Sequence, residues 1–386
     1  MNGGPAVGSI ADCSRRQPTA TRIIFFVLGF AAGGWAPLVP FAKERLRLTD
    51  GGLGLLLLCL GAGSIVAMPL AGALAARFGR RRVLMAALAI AVLAFPLVAI
   101  AAPVGALAAA LFLFGAGLGS MDCVINMQAI IVERERGRPM MSGFHALYSV
   151  GGFAGAAAVS GLVAIGAPVL VSALCVSAIL LLAGAASWPG LLARGSDQPG
   201  LAFALPRGVV LAIGLFCFVV FLAEGSALDW SAVFLRTVRG AAPAQAGLAF
   251  VAFSAAMTAG RLVGDRIVGR IGQLRVVTFG AAFAAAGLAF ATLAPGWLAA
   301  AASYAVVGAG CSNIVPVLFT LTGRQKAMPE SAAVAAVSML GYAGVLAGPA
   351  AIGLVASLSS LTIALLAVAA LLGAVAAAAT RLKAFS

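Results

Sequence analysis

Apolar runs of about twenty residues recur along nearly the whole chain, separated by short segments that are polar or carry proline and glycine. A bilayer core about 30 Å thick takes about 20 apolar residues at about 1.5 Å rise each, so every such run predicts one membrane-spanning helix. The runs place twelve spans at 21–42, 52–78, 83–102, 104–132, 140–165, 168–188, 208–234, 246–268, 275–294, 297–322, 331–355 and 360–380. Several joints are no more than Pro103, Ala167-Pro168 or Pro295-Gly296. Joints that short predict tight hairpins between antiparallel helices.

Composition agrees with this reading: 63% of residues are hydrophobic, 9% are charged and the mean hydropathy is +1.11. A soluble domain carries about 25% charge, so a water-soluble globule is excluded. The net charge of +14 does not point to nucleic acid, because the basic residues lie in short segments between apolar runs and form no continuous face. With both termini in the cytoplasm, twenty Lys and Arg fall on the inner side, Arg261 among them at an inner helix end. Five fall outside: Lys43, Arg45, Arg47, Arg236 and Arg239. That asymmetry orients the chain by the positive-inside rule. Six scattered cysteines, no CxxC and one histidine leave no disulfide framework, metal site or cofactor. Arg15-Arg16 is followed by Gln17-Pro18 and so makes a poor twin-arginine signal; residues 1–20 read as a disordered cytoplasmic tail.

Internal repeats divide the spans six and six. Gly115-Ala116-Gly117 recurs as Gly308-Ala309-Gly310, and Gly151 with Gly155 recurs as Gly344 with Gly348, both 193 residues on. The segment from Gly72 through Arg77, Gly79 and Arg80-Arg81-Arg82 finds its counterpart in Gly260 through Asp265, Arg266 and Arg270, with Ala76 opposite Asp265. The expected organisation is a tail (1–20), an N-terminal six-helix bundle (21–188), a cytoplasmic linker (189–207), a C-terminal six-helix bundle (208–380) and a tail (381–386). Pro189, Gly190, Gly195, Ser196, Asp197 and Pro199 oppose helix in the linker.

On these features the chain resembles the major facilitator superfamily over nearly its whole length. Gly119-Ser-Met-Asp122-Cys-Val-Ile-Asn126, Ser142-Gly-Phe-His145-Ala-Leu-Tyr148-Ser149 and Glu224-Gly-Ser-Ala-Leu-Asp229-Trp230 are similar to its fucose permease-like branch and bacterial relatives. The resemblance implies an all-α membrane fold of two six-helix bundles related by a pseudo-two-fold axis. The first, fourth, seventh and tenth spans would line a central cavity, and sugars are one implied substrate class. It also implies that the loops after the second and eighth spans latch the halves, through Arg77, Arg80, Arg81 and Glu133 on one side and Asp265, Arg266 and Arg270 on the other. By the same resemblance, Ala76 stands in place of the usual aspartate, a departure that would weaken the first latch.

Carboxylates inside a bilayer cost about 2.5–3.5 kcal/mol each on insertion scales, so the few present ask for a role. Asp122 shares one face of the fourth span with Gly115, Gly119, Asn126 and Glu133. It reads as a proton carrier or substrate acceptor, or as a structural anchor. Glu224 falls near mid-span with no Lys or Arg expected near the middle of any helix. A carboxyl out of water holds its proton more tightly, which suits Glu224 to proton coupling or substrate binding. Asp229 lies further out, where solvation explains it. Asn126 and Asn313 suit a hydroxylated ligand or helix packing, and Trp35 and Trp230 suit sugar stacking or interfacial anchoring. Tyr148 and Tyr342 are substrate-binding candidates, and His145 is a relay or a structural hydrogen bonder.

The leading expectation is a monomeric secondary transporter of the bacterial inner membrane. It would move a small polar solute by alternating access, as a proton symporter or facilitator. Efflux by proton antiport is the alternative; against it, Ala156 follows Gly155 where antiporters carry Gly-Pro, and Gly348-Pro349 occurs only on the eleventh span. A membrane-embedded enzyme finds no Asp-rich, His/Cys or Ser/His motif.

Overall fold

A computed structural model describes residues 7–193 and 205–381, the side chains of 7–15, 50, 51 and 244 excepted. The described elements are helical, and twelve spans are long and apolar enough to cross a membrane. The first half holds α1 (Val7–Trp35), a short α2 (Val39–Arg45), α3 (Asp50–Phe78), α4 (Arg80–Ile100), α5 (Val104–Arg136), α6 (Met141–Ala164) and α7 (Val169–Ser187). The second holds α8 (Val209–Thr237), α9 (Leu248–Ile271), α10 (Gln273–Leu293), α11 (Trp297–Cys311), α12 (Ile314–Thr322), α13 (Glu330–Leu358) and α14 (Leu361–Ala379). Large apolar side chains such as Leu55, Leu93, Leu182, Phe279, Phe283 and Leu354 stay exposed, as lipid-facing surfaces require.

Two expectations about the chain's course are corrected. The first helix begins at Val7, so the stretch read as a disordered tail is helical from there on. Its polar residues are anchored: Thr21 Oγ1 donates to the Gln17 carbonyl at 2.8 Å and accepts from Gln128 Nε2 at 3.0 Å. Gln128 Oε1 in turn accepts from Leu192 N at 3.0 Å, and Arg81 Nε donates to the Leu191 carbonyl at 2.9 Å. The opening of the linker is thereby tied to the first half, while residues 194–204 lie outside the described set. The second correction concerns the tenth span, expected as one helix over 297–322, which breaks at Ser312–Asn313 into α11 and α12. Pro316 explains the break, because it has no N–H for the Ser312 carbonyl and its ring crowds that oxygen.

The repeat is legible atom by atom. A methyl group at Gly115 would run into the Leu60 carbonyl oxygen, and one at Gly308 into that of Phe253, each pair 193 residues from the other. Gly117 meets Ala91 and Ala87, and Gly310 meets Ala284 and Gly280, again at that shift. Without interior water to drive association, such close backbone approach is what packs helices in a bilayer. The turn between α3 and α4 is the single residue Gly79 at φ 90°, and that between α9 and α10 is Gly272 at φ 84°. Only glycine takes that conformation without strain. These glycines also correct the loop alignment. Gly79 corresponds to Gly272, so Asp265 corresponds to Gly72, one helical turn before Ala76.

The same symmetry closes the helix ends. Arg45, on α2, donates to the carbonyls of Val98, Ala99 and Ala101 at the end of α4. Arg239, just beyond α8, donates to the Thr292 carbonyl at the end of α10. Both guanidinium groups satisfy carbonyls that a helix C-terminus leaves open.

The chain forms two compact units that do not follow the linear halves throughout. One comprises Met1–Gly137, Leu147–Ala204 and Pro329–Ala335; the other comprises Arg138–Ala146, Leu205–Met328 and Ala336–Ser386. Each unit therefore includes the first turn or so of a helix, α13 or α6, whose remainder belongs to the other.

Candidate functional site

In the second unit, polar chemistry gathers around the break between α11 and α12. Arg261 lies thirteen residues after the start of α9 and ten before its end, and is 5% exposed. The expectation that no Arg or Lys stands near mid-span is overturned, as is the placement of Arg261 at an inner helix end. Its Nη2 lies 3.6 Å from Glu224 Oε1 on α8, so Glu224 is not the unpaired carboxylate the sequence suggested. The physical reason lies in the break: the carbonyl that Pro316 leaves without a helical donor accepts from Arg261 Nε at 3.3 Å. The guanidinium thus answers two demands at once.

Asn313 sits at the N-terminus of α12 but does not cap it. Its Nδ2 donates to the Gly260 carbonyl at 3.0 Å and to Ser312 Oγ at 2.9 Å, while its buried Oδ1 accepts no hydrogen bond. That oxygen lies over Gly264, in the space a side chain there would fill. His145 belongs to this unit, stacked on Phe319 of α12 at a centroid distance of 6.0 Å. Trp230 packs its ring edge against Gly353 of α13, and Tyr342 lies against Phe221 at 6.3 Å.

The first unit holds a sparser set. Asn126 Nδ2 donates to the Asp122 carbonyl at 2.9 Å and to its carboxylate at 3.2 Å, one turn apart on α5. Trp35 is buried at the end of α1, and the Tyr148 carbonyl faces Gly29 where α1 and α6 touch. Trp35, Asp122, Asn126 and Tyr148, with Arg77, Arg80, Arg81 and Glu133, belong to this first unit, whereas His145 belongs to the unit that holds Glu224 and Asn313.

A family model described as Major Facilitator Superfamily matches residues 23–324. The chain belongs to the Major Facilitator Superfamily. It is 49% identical to an uncharacterised MFS-type transporter of Yersinia pestis over 94% of this chain and 95% of that one. Among solved structures it is similar in fold to the Escherichia coli fucose:proton symporter FucP, with TM-score 0.77, 17% identity, and 94% and 98% of the two chains covered. The human organic anion transporter MFSD10 matches with TM-score 0.77 and 16% identity over 95% and 99%.

In this superfamily member the residues read as latches fall into three groups. Asp265 Oδ2 accepts from Gly143 N at 3.1 Å, placing a carboxylate at the first turn of α6, where the helix dipole favours it. Arg134 and Arg80 meet Glu330, at 2.6 and 3.9 Å, in the first turn of α13. Glu330 was not singled out in the sequence; an acid in the first turn of a helix was the available signal. Arg77 lies over Phe78, Arg81 holds the Leu191 carbonyl, Arg266 and Arg270 are exposed, and Glu133 is buried.

Proposed function

We propose that this transporter carries a small polar solute across the bacterial inner membrane by proton-coupled symport, with both termini in the cytoplasm. The observation that carries this reading is the buried Arg261–Glu224 contact at a broken span. Discontinuous helices place backbone dipoles at transporter binding sites, and a mid-bilayer carboxylate that alternates between paired and protonated states couples a proton to conformation. FucP is a fucose:proton symporter by name, which supports a sugar-like solute, and MFSD10 is an organic anion transporter. Asp265 at α6 and Glu330 at α13 act as the latch acids, with Glu330 serving where Gly72 leaves the first repeat without one.

The test is uptake by proteoliposomes of solutes found by thermal stabilisation of the purified protein. Glu224→Gln is expected to keep counterflow exchange and to lose accumulation driven by an imposed pH gradient. Unchanged accumulation in that variant removes Glu224 from the coupling path. Single cysteines at Gln198 and Ala242 are expected to be labelled from opposite sides, the first from the cytoplasm.

A further inference from the structure

The Arg261 site carries more detail than a proton switch needs, and from it we infer the solute's chemical class: a hydroxylated carboxylate, such as a sugar acid, whose carboxylate takes the place of Glu224 at Arg261. This rests on the transporter reading.

Three features, all within the second unit, point the same way. First, Arg261 offers its guanidinium edge to Glu224 at 3.6 Å, longer than a charge-assisted hydrogen bond, and its Nε is engaged with the Ser312 carbonyl. Glu224 Oε1 is buried and accepts no hydrogen bond. The contact is that of a counter-ion standing by, not of a two-pronged pair. Second, α12 starts at this point, and its N-terminal N–H groups add positive potential that the Asn313 side chain does not cap. Two positive features therefore meet at the break, where Arg261 Nε holds the Ser312 carbonyl and α12 begins. Third, Asn313 is 6% exposed and its Oδ1 lacks a donor, over Gly264, three residues from Arg261 and so on the same face of α9. An acceptor left open beside an anion site calls for a hydroxyl on the molecule that brings the anion.

The charge balance then assigns the proton. With the solute absent, Glu224 neutralises Arg261. When the solute carboxylate arrives, Glu224 takes one proton and the site remains neutral. One proton enters with one anion, and the cycle moves no net charge. The charged and titratable groups on the elements packed around Glu224 are Arg261, Asp265, Arg266 and Arg270 on α9, Cys311 and Tyr304 on α11, Glu330 and Tyr342 on α13, His145 beside Phe319, and Cys217, Asp229 and Arg236 on α8 itself. α12 and α14 carry none.

The experiment measures thermal stabilisation and binding of the full-length protein in detergent with gluconate, glucuronate and galacturonate. The neutral parents glucose and galactose, and cyclohexanecarboxylate as an acid without hydroxyls, are run beside them. Sugar acids are expected to bind at least tenfold more tightly than either control class. Their affinity is expected to tighten by about tenfold per pH unit from pH 7.5 to 5.5, the slope of one proton taken up per anion. Glu224→Gln is expected to flatten that slope, and Arg261→Lys, which loses the fork, to weaken binding tenfold or more. Should Arg261→Lys fail to fold, the slope in Glu224→Gln decides. Uptake of a bound acid into liposomes is expected to follow the pH gradient and ignore a potassium–valinomycin potential. Neutral sugars binding as tightly as the acids, a slope that survives Glu224→Gln, or an acid panel that does not bind each overturns the proposal. Neutral sugars bound and accumulated on a pH gradient, with acids ignored, overturn it while leaving the transporter reading standing.

Discussion

Arg261 shows what a single residue can hide. Its position within the eighth run was plain in the sequence, but a basic residue two-thirds of the way along a span looks like an inner-end anchor until its partners are known. Those partners, Glu224 and the Ser312 carbonyl, come from two other helices, and no periodicity reports a contact across helices. Pro316 was the one local clue, since a proline inside a span frees the carbonyl four residues earlier. Pro316→Ala returns an N–H to that carbonyl and competes with Arg261 for it. The expected outcome is a gain in thermal stability, up to the roughly 3 kcal/mol a helix-interior proline costs, together with a several-fold loss of transport rate. Differential scanning calorimetry and initial uptake rates check the two parts separately. A stabilised variant with undiminished transport would show the break to be incidental.

At the scale of elements, helix crossings were the most legible feature after the spans themselves. Spaced glycines predicted the repeat, and the same glycines turned out to be the contact points between α3 and α5 and between α9 and α11. The loop register was misread because arginines and glycines are frequent enough there to align in more than one way. The backbone at Gly79 and Gly272, at the same shift as the glycine contacts within the spans, decides between them. Gly308→Leu presses a side chain against the Phe253 backbone, which cannot yield as a side chain would, and is expected to cost about 3 kcal/mol or more. Gly105→Leu, with open space around it, is the control and should change the melting temperature little. Arg45→Ala is expected to cost about 1 kcal/mol by leaving the end carbonyls of α4 without their donor, with solute affinity unchanged.

For the whole molecule, twelve spans and their duplication followed from run length and spacing, because the bilayer imposes one thickness on every helix. The first-turn residues of α6 and α13 followed from neither, since which unit an element's end joins depends on contacts far along the chain. Glu330→Gln removes the charge facing Arg134 and Arg80, and under the latch role proposed for it is expected to change transport rate several-fold while leaving solute affinity within about twofold. Isothermal titration and uptake on one preparation separate the two; a large affinity loss would place Glu330 in the site instead. Asp265→Asn is expected to behave likewise through α6.

The interrupted span has one further consequence. Counting back 193 residues, Ser312 to Val315 fall on Gly119 to Asp122, inside α5, which runs unbroken from Val104 to Arg136. Where Pro316 stands, the first half has Cys123, and where Arg261 and Glu224 stand, it has Met68 and Ala31. Duplicated at the start, the two stretches now differ in how their amides are held. Backbone protons from Ser312 to Val315 should therefore trade with deuterium well ahead of those from Gly119 to Asp122, at a similar depth in the membrane, and solute binding should slow the first set alone.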